Sequence, residues 1–169
     1  MLRLFGSSTV ERAKSLAVGG LAALLVLSLW QLTAENAQAA RDDQNRQAVT
    51  GVASRFAVAL TTYDYAHPDL QISRVAAVSS RAVVDRVSAS SGDLAAAKVA
   101  SIGEVRDTRL VTGPNSAAEV LVSTVQVVSN IYAAAGTTLS GLLYVALIRL
   151  GTGWEVTNFR WLLSPTSAP

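Results

Sequence analysis

Leu139-Ser-Gly-Leu-Leu-Tyr-Val-Ala-Leu-Ile-Arg-Leu150, then Gly151-Thr152-Gly153, then Trp154-Glu-Val-Thr-Asn-Phe-Arg-Trp-Leu162, is the stretch that decides the fold. Side chains alternate between the two faces of a strand. Leu139, Leu143, Val145 and Leu147 therefore fall on one face of the first run, and Leu142, Tyr144, Ala146 and Ile148 on the other. Two such runs joined by a short glycine-containing connection predict a β-hairpin. Ala118–Ile131 and Val99–Val111, rich in Val, Ser and Thr, predict two further strands. They are separated by Gly113-Pro114-Asn115-Ser116, a strong turn signal, and Ala135-Gly136 marks another turn. Four consecutive strands with short connections imply an antiparallel sheet. The run 139–150 is apolar on both faces, whereas a sheet covered on one side needs only one. Its second face is therefore expected to line a curved pocket or to meet a protein partner.

Helical periodicity lies upstream. Glu35 to about Thr62 contains no Pro, and its only Gly is Gly51. Val49, Val52, Ala53, Phe56, Leu60 and Tyr63 recur at spacings of three and four, which makes one apolar stripe. Its first half, around Asp42 and Asp43, is polar all round and reads as a solvated stalk. His67-Pro68 ends this element, because the residue before proline disfavours the α region. A second helix starting at Pro68-Asp69 would bury Ile72, Val75, Ala76 and Val78. A third follows Ser79-Ser80 with Val83, Val84 and Val87 inside. Ser90-Ser91-Gly92-Asp93 reads as a turn, and Leu94 to Lys98 as a short fourth helical piece. Helices first and strands afterwards predict an α+β domain, with the helices on one face of a curved four-stranded sheet.

Ser15 to Ala34 is twenty residues without a charge, enough to cross a hydrocarbon core of about 30 Å as a helix. Trp30 suits an interface position. Arg3, Arg12 and Lys14 on one flank, against Arg41 and Arg46 on the other, place the N-terminus in the cytoplasm. A cleaved signal peptide is the rival, because Ala37-Gln38-Ala39 fits a small-x-small site, but the uncharged stretch is longer than a usual signal core. The expected organisation is a cytoplasmic tail (1–14), a transmembrane helix (15–34), a helical stalk (35–48), the α+β domain (49–163) and a disordered tail (164–169). The domain would lie outside the cytoplasm, anchored in the inner membrane.

Composition excludes several function classes. The chain has no cysteine, so disulfides, thiolate catalysis and cysteine zinc sites are absent. A net charge of +2 without a block of like charges argues against nucleic acid as a partner. His67, the only histidine, lies in a connecting segment with no nucleophile-elbow pattern. Adjacent Asp42 and Asp43 point to different sides of a helix, which argues against a metal site. The middles of the pocket-forming strands offer Val, Leu, Ser, Thr and Gln126, which bind but do not move protons. No catalytic, cofactor-binding or metal-binding residue is therefore expected, and the protein is expected not to be an enzyme. Tyr63, Asp64, Tyr65, Phe159 and Trp161 are the candidates for a pocket rim or partner surface, since aromatics mark such surfaces.

The segment Thr61-Thr62-Tyr63-Asp64-Tyr65-Ala66-His67-Pro68, the closing Trp154-Glu155-Val156 and the anchor-helices-strands order resemble the mammalian cell entry (Mce)-associated membrane proteins. The resemblance implies a cone-shaped, nuclear transport factor 2-like domain behind a membrane anchor. It also implies an accessory role: a scaffold subunit stabilising an envelope lipid or sterol transport system, with transporter subunits as partners. Related domains form the inner-membrane scaffold of type IV secretion and conjugation machines, and the same topology fits that role. A small-lipid-binding module using the interior of the domain is the third expectation.

Overall fold

The computed structural model describes residues 38–167 except Pro114. The expected tail 1–14 and membrane helix 15–34 lie outside the described residues. Among the described residues no helix is long and apolar enough to cross a membrane. The chain divides into two compact units, Met1–Asp43 and Gln44–Pro169. In the first, residues 38–43 are helical and exposed.

The second unit opens with helix α1 (44–61). Its apolar stripe is inside: Val49, Val52, Ala53 and Phe56 are buried, together with Ala57 and Ala59. Tyr63 does not extend the stripe, because α1 stops at Thr61. At the helix end Thr61 Oγ1 donates back to the Ala57 carbonyl at 2.7 Å. Gln71 Nε2 donates to the Leu60 carbonyl at 2.9 Å, satisfying an acceptor that the helix terminus leaves unpaired.

The chain then forms a two-residue strand, β1 (Tyr63–Asp64), and three short helices: α2 (Pro68–Ala76), α3 (Arg81–Ala89) and α4 (Ser91–Ala96). Four long strands follow: β2 (Ala100–Thr112), β3 (Ala117–Ser129), β4 (Thr137–Leu150) and β5 (Gly153–Ser167). The sheet is antiparallel with spatial order β1-β2-β3-β4-β5. Each strand neighbours the next in sequence, as short turns require. The architecture is α+β with helices packed on one face of an antiparallel sheet.

Four details differ from the sequence expectation. The sheet has five strands, because Tyr63 and Asp64 pair with Ser101 and Ala100. Residues 164–167, expected as a disordered tail, continue β5, because Thr166 and Ser167 pair with Ser140 and Leu139. Ser91–Asp93, expected as a turn, open α4. Finally, α2 buries Gln71 and Val75, whereas Ala76 is exposed, so its inner face is rotated from the predicted one. Gln71 turns inward because its amide finds the end of α1.

The core joins Val49, Phe56, Val75, Val83 and Val87 from the helices to Val120, Val122, Leu143, Val145, Leu147, Trp154 and Val156 from the sheet. Burying a side chain such as Phe56 contributes about 1.5–3 kcal/mol. Irregularities in register interrupt the β2–β3 and β4–β5 pairings. Such bulges bend a strand and strengthen its twist, which curls the sheet around the helices. Gly103 permits the closest approach: a Cβ there would overlap the Thr61 side chain.

Candidate functional site

A cavity of about 450 Å³ opens between the helices and the sheet. Leu60, Val87 and Leu94 give it apolar walls; Tyr63, Gln71, Gln126 and Arg86 give it polar groups; Phe159 and Trp161 close it from β5. Both aromatics of β5 are held in place. The Phe159 ring meets Phe56 with centroids 5.3 Å apart, tilted by 59°. The Arg86 guanidinium lies over that ring, 4.0 Å from its centroid. Arg86 Nη2 also donates to Asn158 Oδ1 at 3.1 Å and to the Phe159 carbonyl at 3.0 Å. The Trp161 indole lies over Gly141, where an added Cβ would come within 2.8 Å of the ring. Trp161 and Phe159 are both partly buried against the core.

The structure thus brings Tyr63, Phe159 and Trp161 to one cavity. Asp64 belongs to a second, neighbouring pocket of about 450 Å³, between β1, α2 and β2, which Tyr63 also lines. Asp64 is exposed: Oδ1 accepts from the Ala66 N–H at 3.0 Å and Oδ2 lies 3.2 Å from His67 Nδ1. The Ala66 N–H, then His67, hold its carboxyl below the ordinary value. Tyr65 lines neither cavity; its N–H bonds the Val99 carbonyl at 3.1 Å, and it is exposed. Burial pushes the Tyr63 phenol up.

Sequence reading missed Gln71 and Arg86. Gln71 carried a signal, a polar residue four before Val75 on a helix with one inner face. Arg86 carried none, because its partners Asn158 and Phe159 lie more than seventy positions away. Among the described residues no group of three or more His, Cys, Asp or Glu could hold a metal ion.

No family model and no curated protein matches this chain. Solved structures do. An IcmL-like type IV secretion system protein from Legionella pneumophila matches with a TM-score of 0.57 at 15% identity, over 72% of this chain and 93% of that one. A periplasmic fragment of TraM matches at 0.57 and 13%, over 70% and 98%. CagV, a VirB8 homolog of the type IV secretion system of Helicobacter pylori, matches at 0.53 and 9%, over 68% and 95%. At such identities the likeness establishes the fold, which is nuclear transport factor 2-like.

These findings overturn the Mce-associated expectation and, with it, the lipid-transport role. The structure explains why the motifs misled. Tyr63-Asp64 pairs with β2, Asp64 closes a turn onto Ala66, and Pro68 starts α2. A chain passing from helix to sheet edge to helix has these needs in any protein of this fold. Likewise Trp154 and Val156 alternate onto the core face of a strand. Both motifs report the fold and carry no information about a role.

Proposed function

We propose that this chain is a scaffold subunit of a type IV secretion or conjugation machine, with Gln44–Pro169 as its assembly domain outside the cytoplasm and residues 15–34 as its anchor. The observation that carries this reading is the completeness of the match: about 70% of this chain accounts for 93–98% of two domains, the IcmL-like secretion protein and the periplasmic TraM fragment. The match is to whole domains rather than to a shared sheet.

The cavity lining contains the Tyr63 phenol and the Gln71 and Gln126 carboxamides, and no carboxylate or imidazole among the described residues. Partner subunits of the envelope machine would dock on exposed apolar positions of the sheet. Ile102 and Val127 are cross-strand partners, 72% and 48% exposed.

Deleting the gene in its own host tests the reading. Secretion or plasmid transfer should collapse, and the full chain supplied in trans should restore it. Normal transfer and secretion in the deletion strain would refute the proposal.

A further inference from the structure

Gln126 sits on the helix-facing side of β3 and is only 8% exposed. Its Oε1 accepts from Ser101 Oγ at 3.5 Å, and its Nε2 has no partner among the described residues. The Tyr63 hydroxyl has none either. Yet among the described residues no buried side-chain polar atom is left unpaired. Gln126 Nε2 therefore retains access to the one cavity that Gln126 lines, of about 450 Å³ beside β5, and Tyr63 lines that cavity and the neighbouring one. Buried amides ordinarily find acceptors, and a donor left open to a cavity is where a ligand oxygen gains most.

The rest of the cavity suits an apolar ligand of one charge sign. Phe159 contacts both Phe56 and Arg86, and Trp161 is laid over Gly141, so both aromatic walls are formed before anything binds. A largely preformed, mostly apolar cavity of several hundred Å³ with a few placed polar groups is what small-molecule sites look like. The described lining includes two arginines, Arg86 and Arg160, and no carboxylate. A cation would find no counter-charge there, whereas an anion would.

We propose that this cavity binds an apolar monocarboxylate, whose carboxylate accepts hydrogen bonds from Gln126 Nε2 and the Tyr63 hydroxyl while its apolar body packs against Phe159 and Trp161. The phenol of Tyr63 stays protonated, and so remains a donor, throughout the neutral range. The site goes beyond the scaffold reading and stands without it: binding is measured on the purified protein, so its failure would leave the secretion assay untouched.

The test uses the full chain in lipid nanodiscs, with empty nanodiscs as reference, and reads ligand saturation-transfer NMR. Sodium 2-naphthoate and sodium decanoate separate an aromatic from an acyl body. 2-Naphthylmethylamine is the cationic control. At least one carboxylate should bind saturably at one site per chain, and the amine roughly tenfold more weakly or not at all. Gln126→Leu and Tyr63→Phe should each weaken that binding by roughly three- to tenfold, about the worth of one lost hydrogen bond. Tyr63→Phe keeps the ring and its packing, so it decides the matter if Gln126→Leu fails to fold. Absence of saturable carboxylate binding, equal binding of the amine, or wild-type affinity in folded Tyr63→Phe protein would overturn the proposal.

Discussion

Gly141 and Trp161 form a matched pair across β4 and β5. An alanine methyl at 141 would meet the indole at 2.8 Å and stand 3.3 Å from the Leu163 carbonyl. Overpacking of this kind costs about 1–3 kcal/mol. Gly141→Ala should therefore lower the melting temperature, and Trp161→Ala should recover part of that loss in the double variant. Additive effects in that thermal cycle would show that the two do not touch. Trp154 is more deeply buried, with 9% exposure, so Trp154→Ala should destabilise the domain more than Trp161→Ala. Asp64 makes a prediction in pH. Its folded carboxyl is held below the ordinary value of 3.8, first by the Ala66 N–H and then by His67. A depressed carboxylate stabilises the fold above its unfolded pKa and loses that contribution as pH falls through the folded value. The melting-temperature gap between wild type and Asp64→Ala should be full at pH 6 and close as pH drops below 3.8. A gap unchanged at pH 2.5 would show that the carboxylate charge plays no part.

At the scale of elements, α1 meets β2 at one glycine. Gly103 has the end of α1 directly above it, and its N–H is bonded by Thr62 Oγ1 at 3.1 Å. Gly103→Val should push the helix off the sheet and cost about 3 kcal/mol, read as a loss of thermal and urea stability. A neutral result would mean that the helix end relaxes freely. The outer edge of β5 is guarded rather than open. The Val78–Ser80 segment bonds Val156 through both its N–H and its carbonyl, Arg86 occupies the Phe159 carbonyl, and Pro165 withholds a donor. Capped backbone groups and proline are how sheets avoid unwanted strand addition.

For the whole molecule, the exposed pair Ile102 and Val127 lies at the end of the sheet near β1, where both also line the second cavity. Arg160 stacks over Tyr144 at 4.9 Å. Ile102→Glu should leave the melting temperature nearly unchanged, because the residue is 72% exposed, while abolishing complementation of the deletion strain. Full complementation would move the partner surface elsewhere. A cysteine at Ser90, an exposed residue, should react with an impermeant thiol reagent in intact cells; labelling only after lysis would refute the proposed topology. The sequence by itself determined the class of fold. Strand and helix periods are local, so the positions of α1, α3 and the four long strands could be read from the spacing of apolar residues and the turn residues between them. Gln126 was legible as a polar residue in the middle of a pocket-forming strand, and the structure places it in the cavity lining. Only the tertiary structure decided the rest. The pairing of Tyr63 with Ser101, the extension of β5 to Ser167 and the cavity among Tyr63, Gln71, Arg86 and Trp161 all join residues far apart in the chain. Such contacts depend on bulges and register, and a pattern with period two is the same whichever residue lies across the ladder.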